Sequence, residues 1–353
     1  IELVSTDPAV DFAGLINRPA TLTMMRDGEE VPACGVVAHF EQGGRTSDWY
    51  GYRAVLVPRL WLLSLSYRSR IFQEKTVEDI GTEVLEGAGL SSSDFRFELS
   101  GSYPAREYCV QYEETDLDFL SRLLEHEGIH YFFEHDGKDV LVMSDDSRQN
   151  PRIPGEDTVG YNVGGGLVPE GEAVRELICR EQVVTGKVVL KDYNYRTPDT
   201  NLEVESQING EMPGERYEYG QHYPDTSQGN RLAKIRNEEL ECRRRVMSGD
   251  SDCAGLRAGH LFTLEDHYRE DLNGDYLITQ VTHRGHQGAA LPGVAPTGNN
   301  EQEGYRNEFT AIAADVVYRP PRRTPVPEVP GIITARTETA GGEYAYLNEE
   351  EEY

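Results

Sequence analysis

The chain has 353 residues and a formal net charge of −28, from 62 acidic and 34 basic residues. This excess of carboxylates argues against binding to nucleic acids or to anionic membrane surfaces, because both depend on Lys and Arg side chains that neutralise phosphates. No run reaches the ~18 apolar residues of a membrane span, the start lacks a signal-peptide pattern, and five cysteines without CxxC spacing indicate reduced thiols in the cytoplasm.

Residues 1–70 have the alternation and the β-branched content of strands. Asp27-Gly28 predicts a two-residue hairpin turn between two of them. Pro58 indicates an edge or a bulge, because proline cannot donate to a ladder. The apolar run Trp61–Leu63 predicts either a strand buried on both faces or a turn into the core.

A helix is predicted over residues 76–90. Thr76 is a good N-cap, and Asp79 three residues later makes a variant of the capping box. Apolar residues then recur at helical spacing. Gly87 and Gly89 can supply the left-handed residue that ends a helix.

The most clearly patterned stretch is Ser100–Glu134, with the sequence SGSYPAREYCVQYEETDLDFLSRLLEHEGIHYFFE. It predicts a strand over 107–113, a helix capped by Thr115 and ended by Gly128, and a returning hairpin that turns at Asp136-Gly137. The helix is expected to bury one apolar face. The predicted members of that face are Leu117, Leu120, Leu123 and Leu124.

The remainder predicts further strands, one more helix and a proline-rich segment. Residues 151–170, with Gly164-Gly165-Gly166, have loop composition, and Thr185-Gly186 predicts a turn between strands. A third helix is expected over 228–248, and the run that begins at residue 319 is expected to act as a semi-rigid spacer. The candidate buried positions of the third helix are Leu232, Ile235, Leu240 and Val246.

No group of residues in the sequence forms a recognisable catalytic pattern. His126, His130 and His135 have metal-site composition, yet EHEGIH is not HExxH, and Gly128 breaks the helix between the first two. We therefore expect His126 at a helix end and the other two on the faces of the hairpin, with no metal and no cofactor.

Three further motifs also have structural explanations. Cys109, in mid-strand, is predicted to be a buried thiol and not a nucleophile. Asp266-His267 could orient an imidazole, but no GxSxG elbow accompanies it. The run Arg243–Arg245 predicts salt bridges to neighbouring carboxylates, with a docking patch for an acidic partner as the alternative. The sequence therefore favours a protein that is not an enzyme.

Six segments, in order, resemble the VgrG spike proteins of type VI secretion and, through them, the baseplate hubs of contractile-tailed phages. The resemblance covers nearly the whole chain, and the order and spacing of the segments make it specific. They are RPATLTM (Arg18–Met24), WLLSLSYRSRIFQEKTVEDI (Trp61–Ile80), SGSYPAREYCVQYEETDLDFLSRLLEHEGIHYFFEHD (Ser100–Asp136), VTGKVVLKDYNYRTP (Val184–Pro198), RLAKIRNEEL (Arg231–Leu240) and YRPPRRTPVPEVPG (Tyr318–Gly331).

The resemblance implies a mainly β fold with helical insertions (β+α). It implies two interleaved β-barrel-like hub domains, with the chain starting inside the first barrel and stopping at the start of an OB-fold. The expected first barrel comprises 1–70, 171–200 and 255–318, and the second, with helices, 71–170 and 201–254. Residues 319–331 would be a proline-rich linker and 332–353 the beginning of the OB-fold.

The function implied is a structural hub in a contractile secretion machine. Three chains would form a homotrimer that caps a hexameric Hcp-type tube, while a PAAR-type tip protein and effectors would attach through the remainder of the full-length protein. The protein would stay in the bacterial cytoplasm until firing and then be secreted into the target cell or the medium. No nucleic acid and no stable membrane insertion are expected.

Two alternatives remain open, a hub of a phage or phage-like contractile tail and a cell-wall-degrading enzyme. A carbohydrate-binding module is a third, suggested by the aromatic strands. The residues singled out for structural roles are Thr115, Gly128, Trp61 and Tyr131.

Overall fold

The structure, a computed structural model, describes residues 1–26, 28–45, 48–162, 171–208, 210–286, 304–328 and 331. The chain divides into two units. The first is formed by residues 1–184 and 238–324, and the second by 185–237 and 325–353. The predicted turn residue Asp27, the glycines 164–166 and the tail 332–353 lie outside the described residues.

The first unit contains an open four-stranded antiparallel sheet and a closed six-stranded barrel. Strands β1 to β4 form the open sheet in the order β1-β4-β3-β2, and the predicted hairpin joins β2 to β3 with Arg26 opposite Glu29. The strand bounds of the open sheet are β1 Glu2–Ser5, β2 Pro19–Arg26, β3 Glu29–Arg45 and β4 Tyr50–Val57.

The barrel closes in the order β10-β11-β15-β18-β17-β16. Its interior is filled by alternate side chains such as Phe262 and Phe309, whose rings meet edge to face at 5.8 Å. Gly249 lies opposite Phe309, and a Cβ there would stand 2.8 Å from that ring, so the close approach requires glycine. The barrel strands are β10 Thr158–Tyr161, β11 Ala173–Glu181, β15 Arg245–Ser251, β16 Leu261–Glu265, β17 Gly274–Gly285 and β18 Tyr305–Ala313.

A helical insertion lies between the open sheet and the barrel in the chain. A two-stranded antiparallel ribbon (β5 and β7) and a small sheet of order β6-β9-β8 accompany helices α2 and α3. Phe72 of the ribbon stacks on Phe119 of α3, with ring centroids 5.4 Å apart, at the centre of this core. The bounds are β5 Tyr67–Lys75, α2 Val77–Gly87, β6 Phe95–Glu98, β7 Arg106–Thr115, α3 Asp116–Glu127, β8 His130–His135 and β9 Asp139–Ser144.

The second unit has a three-stranded sheet of order β13-β12-β14, in which β12 and β13 are antiparallel and β12 and β14 are parallel. One face is apolar through Val188 and Leu190, and the other carries the ion pair of Lys191 with Glu203. Its strands are β12 Lys187–Asp192, β13 Leu202–Gln207 and β14 Glu215–Tyr219. Helix α4 (Thr226–Glu241) begins in this unit. The short helix α1 (Phe12–Leu15) belongs to the first unit.

The predicted fold class is confirmed, since the described residues are mostly strands, with few helices, a closed barrel and an open half-barrel. The capping box of Thr76 and Asp79 is present, and Gly89 has the left-handed φ of 90° that was expected after α2. The hairpin β8–β9 also forms, with Gly137 at φ 70° in its turn. The assignment of ranges to two hub domains stays a prediction.

Two predicted secondary-structure assignments are wrong. The third helix ends at Glu241, before Val246, because Arg245–Ser251 is needed as a barrel strand between β11 and β18. A barrel ladder on both sides outweighs the weak helix propensity of this segment. The loop predicted over 151–170 contains strand β10, which is too short to show a period.

Two other expectations need correction. Trp61–Leu63 is not a strand but part of a 3₁₀ helix, Arg59–Leu65, which turns Leu63 into the core, as the alternative prediction stated. The turn predicted at Thr185-Gly186 is not present: residues 182–186 are an irregular connection between β11 and β12, which belong to different sheets. Among the described residues, no helix is long and apolar enough to cross a membrane.

Candidate functional site

Thr115 and Gly128 bound helix α3, as predicted. The Thr115 side-chain oxygen accepts a hydrogen bond from the backbone N–H of Asp118 at 3.0 Å. Gly128 has φ 71° and ψ 23°, and the N–H of Ile129 then donates to the carbonyl of Leu124 at 2.9 Å. The backbone groups at both ends of α3 therefore have hydrogen-bond partners, so the helix starts and stops at defined residues. These ends decide which of its side chains face the ribbon.

A mostly buried ion pair ties α3 to strand β7. The Arg122 guanidinium donates to both carboxylate oxygens of Glu114, at 2.8 and 2.6 Å, and to the carbonyl of Val110 at 2.7 Å. It also lies 5.0 Å from the ring centroid of Phe119. Bidentate geometry of this kind fixes orientation as well as distance. The helix therefore holds the ribbon rigidly from one side.

The opposite side of the ribbon is an exposed apolar surface, which we call the ribbon face. Ile71 lies opposite Val110 across the ladder, whereas the next pair, Phe72 and Cys109, points into the core. Large exposed apolar side chains on rigid strands are typical of protein interaction surfaces. The ribbon face comprises Tyr67, Ile71, Tyr108 and Val110, which are 67%, 56%, 54% and 37% exposed.

The ribbon face is not evident from the sequence. The alternation in EYCVQYE predicts a strand, but a single strand does not say which of its two faces a helix will cover. That choice depends on the register Ile71↔Val110, which only the pairing of two distant strands reveals.

Trp61 and Tyr131 are both exposed and do not lie on the ribbon face. Trp61 sits on the 3₁₀ helix, where Leu60 and Leu63 are the buried residues. Tyr131 is on β8, and its ring meets that of Phe133 edge to face at 6.1 Å. The structural roles predicted for Trp61 and Tyr131 stay predictions.

The three histidines that suggested a metal composition occupy different environments. His126 is in the last turn of α3, and His130 and His135 lie at the two ends of β8, as expected. The Nε2 atom of His130 lies 3.2 Å from the Oδ1 atom of Asn150, and Nδ1 of His135 accepts from the backbone N–H of Cys34 at 3.1 Å. Within the described part of the chain, no group of three His, Cys, Asp or Glu residues is placed to hold a metal ion.

Burial keeps three imidazoles neutral. It lowers the pKa of His130, of His135 and of His260 to about 4. Phe132 lies between two of them, with ring centroids 6.2 Å from His130 and 5.6 Å from His260. These residues are therefore packing groups at neutral pH.

The predicted buried thiol and the second histidine motif also have structural roles. Burial raises the pKa of the Cys109 thiol, which opposes formation of a nucleophilic thiolate. Nδ1 of His267 accepts from the backbone N–H of Arg269 at 3.1 Å, and the His267 ring packs 4.3 Å from that of Tyr161.

The basic run after α4 pairs with carboxylates, as predicted. Arg243 contacts Glu239 at 2.7 Å, and Arg244 contacts Glu181 at 3.3 Å. Arg245, the third member, lies 3.6 Å from Asp271. These contacts support the salt-bridge interpretation of the run.

Comparison with known proteins gives a consistent result. Residues 1–289 match the phage tail baseplate hub family (GPD). The type VI secretion system spike proteins VgrG5 and VgrG4b of Pseudomonas aeruginosa are 35% and 34% identical to the chain, over 99% and 95% of its length and 45% and 42% of theirs. The chain thus spans less than half the length of these relatives.

A third relative carries a different name. The actin cross-linking toxin VgrG1 of Vibrio cholerae is 31% identical over 99% of this chain, but the match covers only 32% of that protein. The activity in its name belongs to a protein about three times as long as the matched region.

Solved structures show the same fold. An Escherichia coli component of the type VI secretion system has a TM-score of 0.68 at 23% identity, over 92% of this chain and 72% of that one. A tail protein of Neisseria meningitidis has a TM-score of 0.59 at 12% identity, over 90% and 88%. The resemblance to VgrG spike proteins and phage hubs that the sequence suggested is confirmed.

Proposed function

The chain belongs to the phage tail baseplate hub (GPD) family, and from this premise we propose that it is the hub of a type VI secretion spike. The observation that carries the proposal is its alignment with VgrG spike proteins of Pseudomonas aeruginosa at 31–35% identity over 95–99% of its length. The fold of the E. coli secretion component supports it.

In the proposed assembly, three copies form a homotrimer that caps a hexameric Hcp-type tube. Each chain contributes one closed barrel and one open four-stranded sheet. In this proposal the barrel and the open sheet are the two units that each chain contributes, so three copies place six of them around one axis, which matches the symmetry of a six-membered ring. The ribbon face and other exposed apolar surfaces are available for such contacts.

The remaining partners and the location follow from the same proposal. A PAAR-type tip protein and effectors would attach through the part of the full-length spike that this chain does not span. The protein would remain in the bacterial cytoplasm until firing and then pass into the target cell or the medium. Its role is structural, because the chemistry-bearing side chains described above serve packing and ion pairing.

The mass of the full-length protein in solution tests the proposal. Native mass spectrometry, alone and with a purified Hcp-type hexamer, should give a trimer and then a complex of one trimer with one hexamer. A full-length protein that stays monomeric at micromolar concentration would overturn the trimeric hub. A trimer that does not bind the Hcp-type hexamer would overturn the tube-capping role.

A phage-like tail hub is the second candidate, favoured by the fold of the Neisseria meningitidis tail protein. The two differ in the tube that they cap, so competition between an Hcp-type ring and a phage-type tail tube protein separates them. A cell-wall-degrading enzyme is the less favoured interpretation. Release of soluble fragments from purified peptidoglycan, abolished by a single carboxylate-to-amide substitution, would support the enzyme instead.

A further inference from the structure

A seven-residue segment after the last barrel strand lies against the end of helix α3. We call this segment, Tyr318–Thr324, the strap. At its start, the backbone N–H of Tyr318 donates to the hydroxyl of Ser147 at 2.8 Å, and the Tyr318 ring meets that of His130 edge to face at 5.8 Å. The predicted proline-rich spacer therefore begins as a docked segment.

Arg319 is the central attachment of the strap. One guanidinium nitrogen donates to the carbonyls of Gly128 and Asp145, at 2.9 and 2.8 Å, and Nε contacts Glu238 at 2.8 Å. The side chain is only 12% exposed. Gly128 ends α3, Asp145 follows β9 and Glu238 lies on α4, so one cation joins the strap to three separate elements and complements the negative end of α3.

Glu125, in the last turn of α3, holds the other end of the strap. Its carboxylate accepts hydrogen bonds from the backbone N–H groups of Arg323 and Thr324, each at 3.1 Å, and from the Thr324 hydroxyl at 2.8 Å. A charged acceptor makes each of these bonds stronger than a neutral pair would be. The strap is thus fixed at both ends and at its centre.

The strap sequence reduces the entropic cost of this docking. Pro320 and Pro321 fix φ and lack N–H groups, so they leave no donors unpaired where the strap crosses the helix end. Further along, the N–H groups of Arg323 and Thr324 both donate to Glu125. A segment that is already extended when free loses little conformational freedom on docking.

We propose that the strap is a mechanical anchor, through which force on the chain beyond Thr324 passes into helix α3 and strand β9. This inference rests on the proposed function, since a hub that carries a spike must keep hold of whatever follows it in the chain when the two are pulled apart. Without the strap, the same force would reach strand β18 directly and peel it from the barrel. The strap therefore protects the barrel strand.

Optical-tweezers pulling tests the anchor on the complete chain. One handle is attached at residue 282 on β17, through an azide-bearing amino acid, and the other at the C-terminus. Release of the six residues after Tyr318 frees about 2 nm of extended chain and moves the loaded attachment from Thr324 back to Tyr318, so it should appear as one discrete lengthening step. We expect this step in the unsubstituted protein, and Arg319→Met should lower its force by at least half.

Two further variants complete the test. Glu125→Gln keeps the size of the side chain and should also lower the release force, so the result does not depend on Arg319→Met alone. Arg306→Met removes a different arginine–carboxylate contact, with Asp250, away from the strap and should leave the release force unchanged. Far-UV circular dichroism confirms that each variant is folded.

The outcomes separate the anchor from the proposed function. If the unsubstituted chain shows this step only at the lowest forces, or if all variants release at its force, the mechanical role is overturned. The assembly of full-length Arg319→Met with the Hcp-type ring is measured independently by mass. Failure of the anchor therefore leaves the hub proposal intact, and failure of ring capping leaves the pulling result intact.

Discussion

The side-chain oxygen of Thr115 lies 3.0 Å from the backbone nitrogen of Asp118 and satisfies one of the N–H groups that helix α3 would otherwise leave unpaired. Thr115→Ala removes this bond and should lower the free energy of unfolding by about 0.5–2 kcal/mol. Urea denaturation measures the loss. Thr82→Ala, within α2, is the control and should be neutral or slightly stabilising, because alanine is the better helix former. Equal effects of the two substitutions would contradict the capping role.

Gly128 and Gly87 should respond to alanine in opposite directions. Gly128 has a φ of 71°, which costs an L-residue about 1–2 kcal/mol, so Gly128→Ala should destabilise the protein. Gly87 is helical, and a Cβ there would meet nothing within 4 Å, so Gly87→Ala should stabilise by roughly 0.5–1 kcal/mol. The difference in melting temperature between the two variants is the measurement. A shift in the same direction for both would show that backbone conformation is not the deciding factor.

Removing one charge of the Glu114–Arg122 pair should lower the free energy of unfolding much more than removing both charges. Glu114→Ala leaves a mostly buried guanidinium without its carboxylate and should cost about 3–5 kcal/mol. Removing both charges, in Glu114→Ala with Arg122→Met, should cost less than Glu114→Ala alone. A double-mutant cycle by urea denaturation gives the coupling. Additive losses would contradict a coupled buried pair.

Local rules in the sequence predicted the parts of the fold that local chemistry decides. Thr115, Gly128 and the turn at Gly137 follow from capping and turn preferences that act within a few residues. The features that the sequence did not predict share one cause: they depend on the pairing of strands that are far apart in the sequence. Val246 joins a strand because Arg245–Ser251 lies between two barrel strands, and the ribbon face is exposed because α3 covers only the other side.

The same limit applies to the strap. The prolines after residue 319 predict an extended chain, because each proline ring fixes φ near the extended value. The contact of Arg319 with the carbonyl of Gly128 joins residues that are 191 positions apart in the chain. No short-range pattern encodes such a contact, so it emerges only from the structure.

The buried histidines should make stability depend on pH between about 4 and 6.5. Burial lowers the pKa of His130 and of His260 to about 4, so between that value and ~6.5 the unfolded chain binds protons that the folded chain does not. Stability is therefore fully present above pH ~6.5 and is lost as the pH falls, by up to about 3 kcal/mol for each histidine. Urea denaturation at pH 4.5, 5.5, 6.5 and 7.5 measures the slope.

A substitution identifies the histidine contribution. His260→Gln should flatten the slope between pH 4.5 and 6.5, because one group that resists protonation in the folded state is gone. His286→Gln, at an exposed position, should leave the slope unchanged. An unchanged slope in His260→Gln would assign the acid sensitivity to other groups.

Ile71 and Phe72 are adjacent in sequence but should differ strongly in their contribution to stability. Phe72 is 2% exposed and stacks on Phe119, so Phe72→Ala should cost about 3–5 kcal/mol, whereas Ile71→Ser on the exposed ribbon face should stay within about 0.5 kcal/mol of the unsubstituted protein. Thermal unfolding of the two variants compares them directly. A large loss for Ile71→Ser would place that side chain in a core and remove the ribbon face as a surface. If the stability of Ile71→Ser is unchanged, native mass spectrometry of the full-length protein with this substitution tests the trimer. Any loss of the trimer then results from lost contacts between copies and not from misfolding.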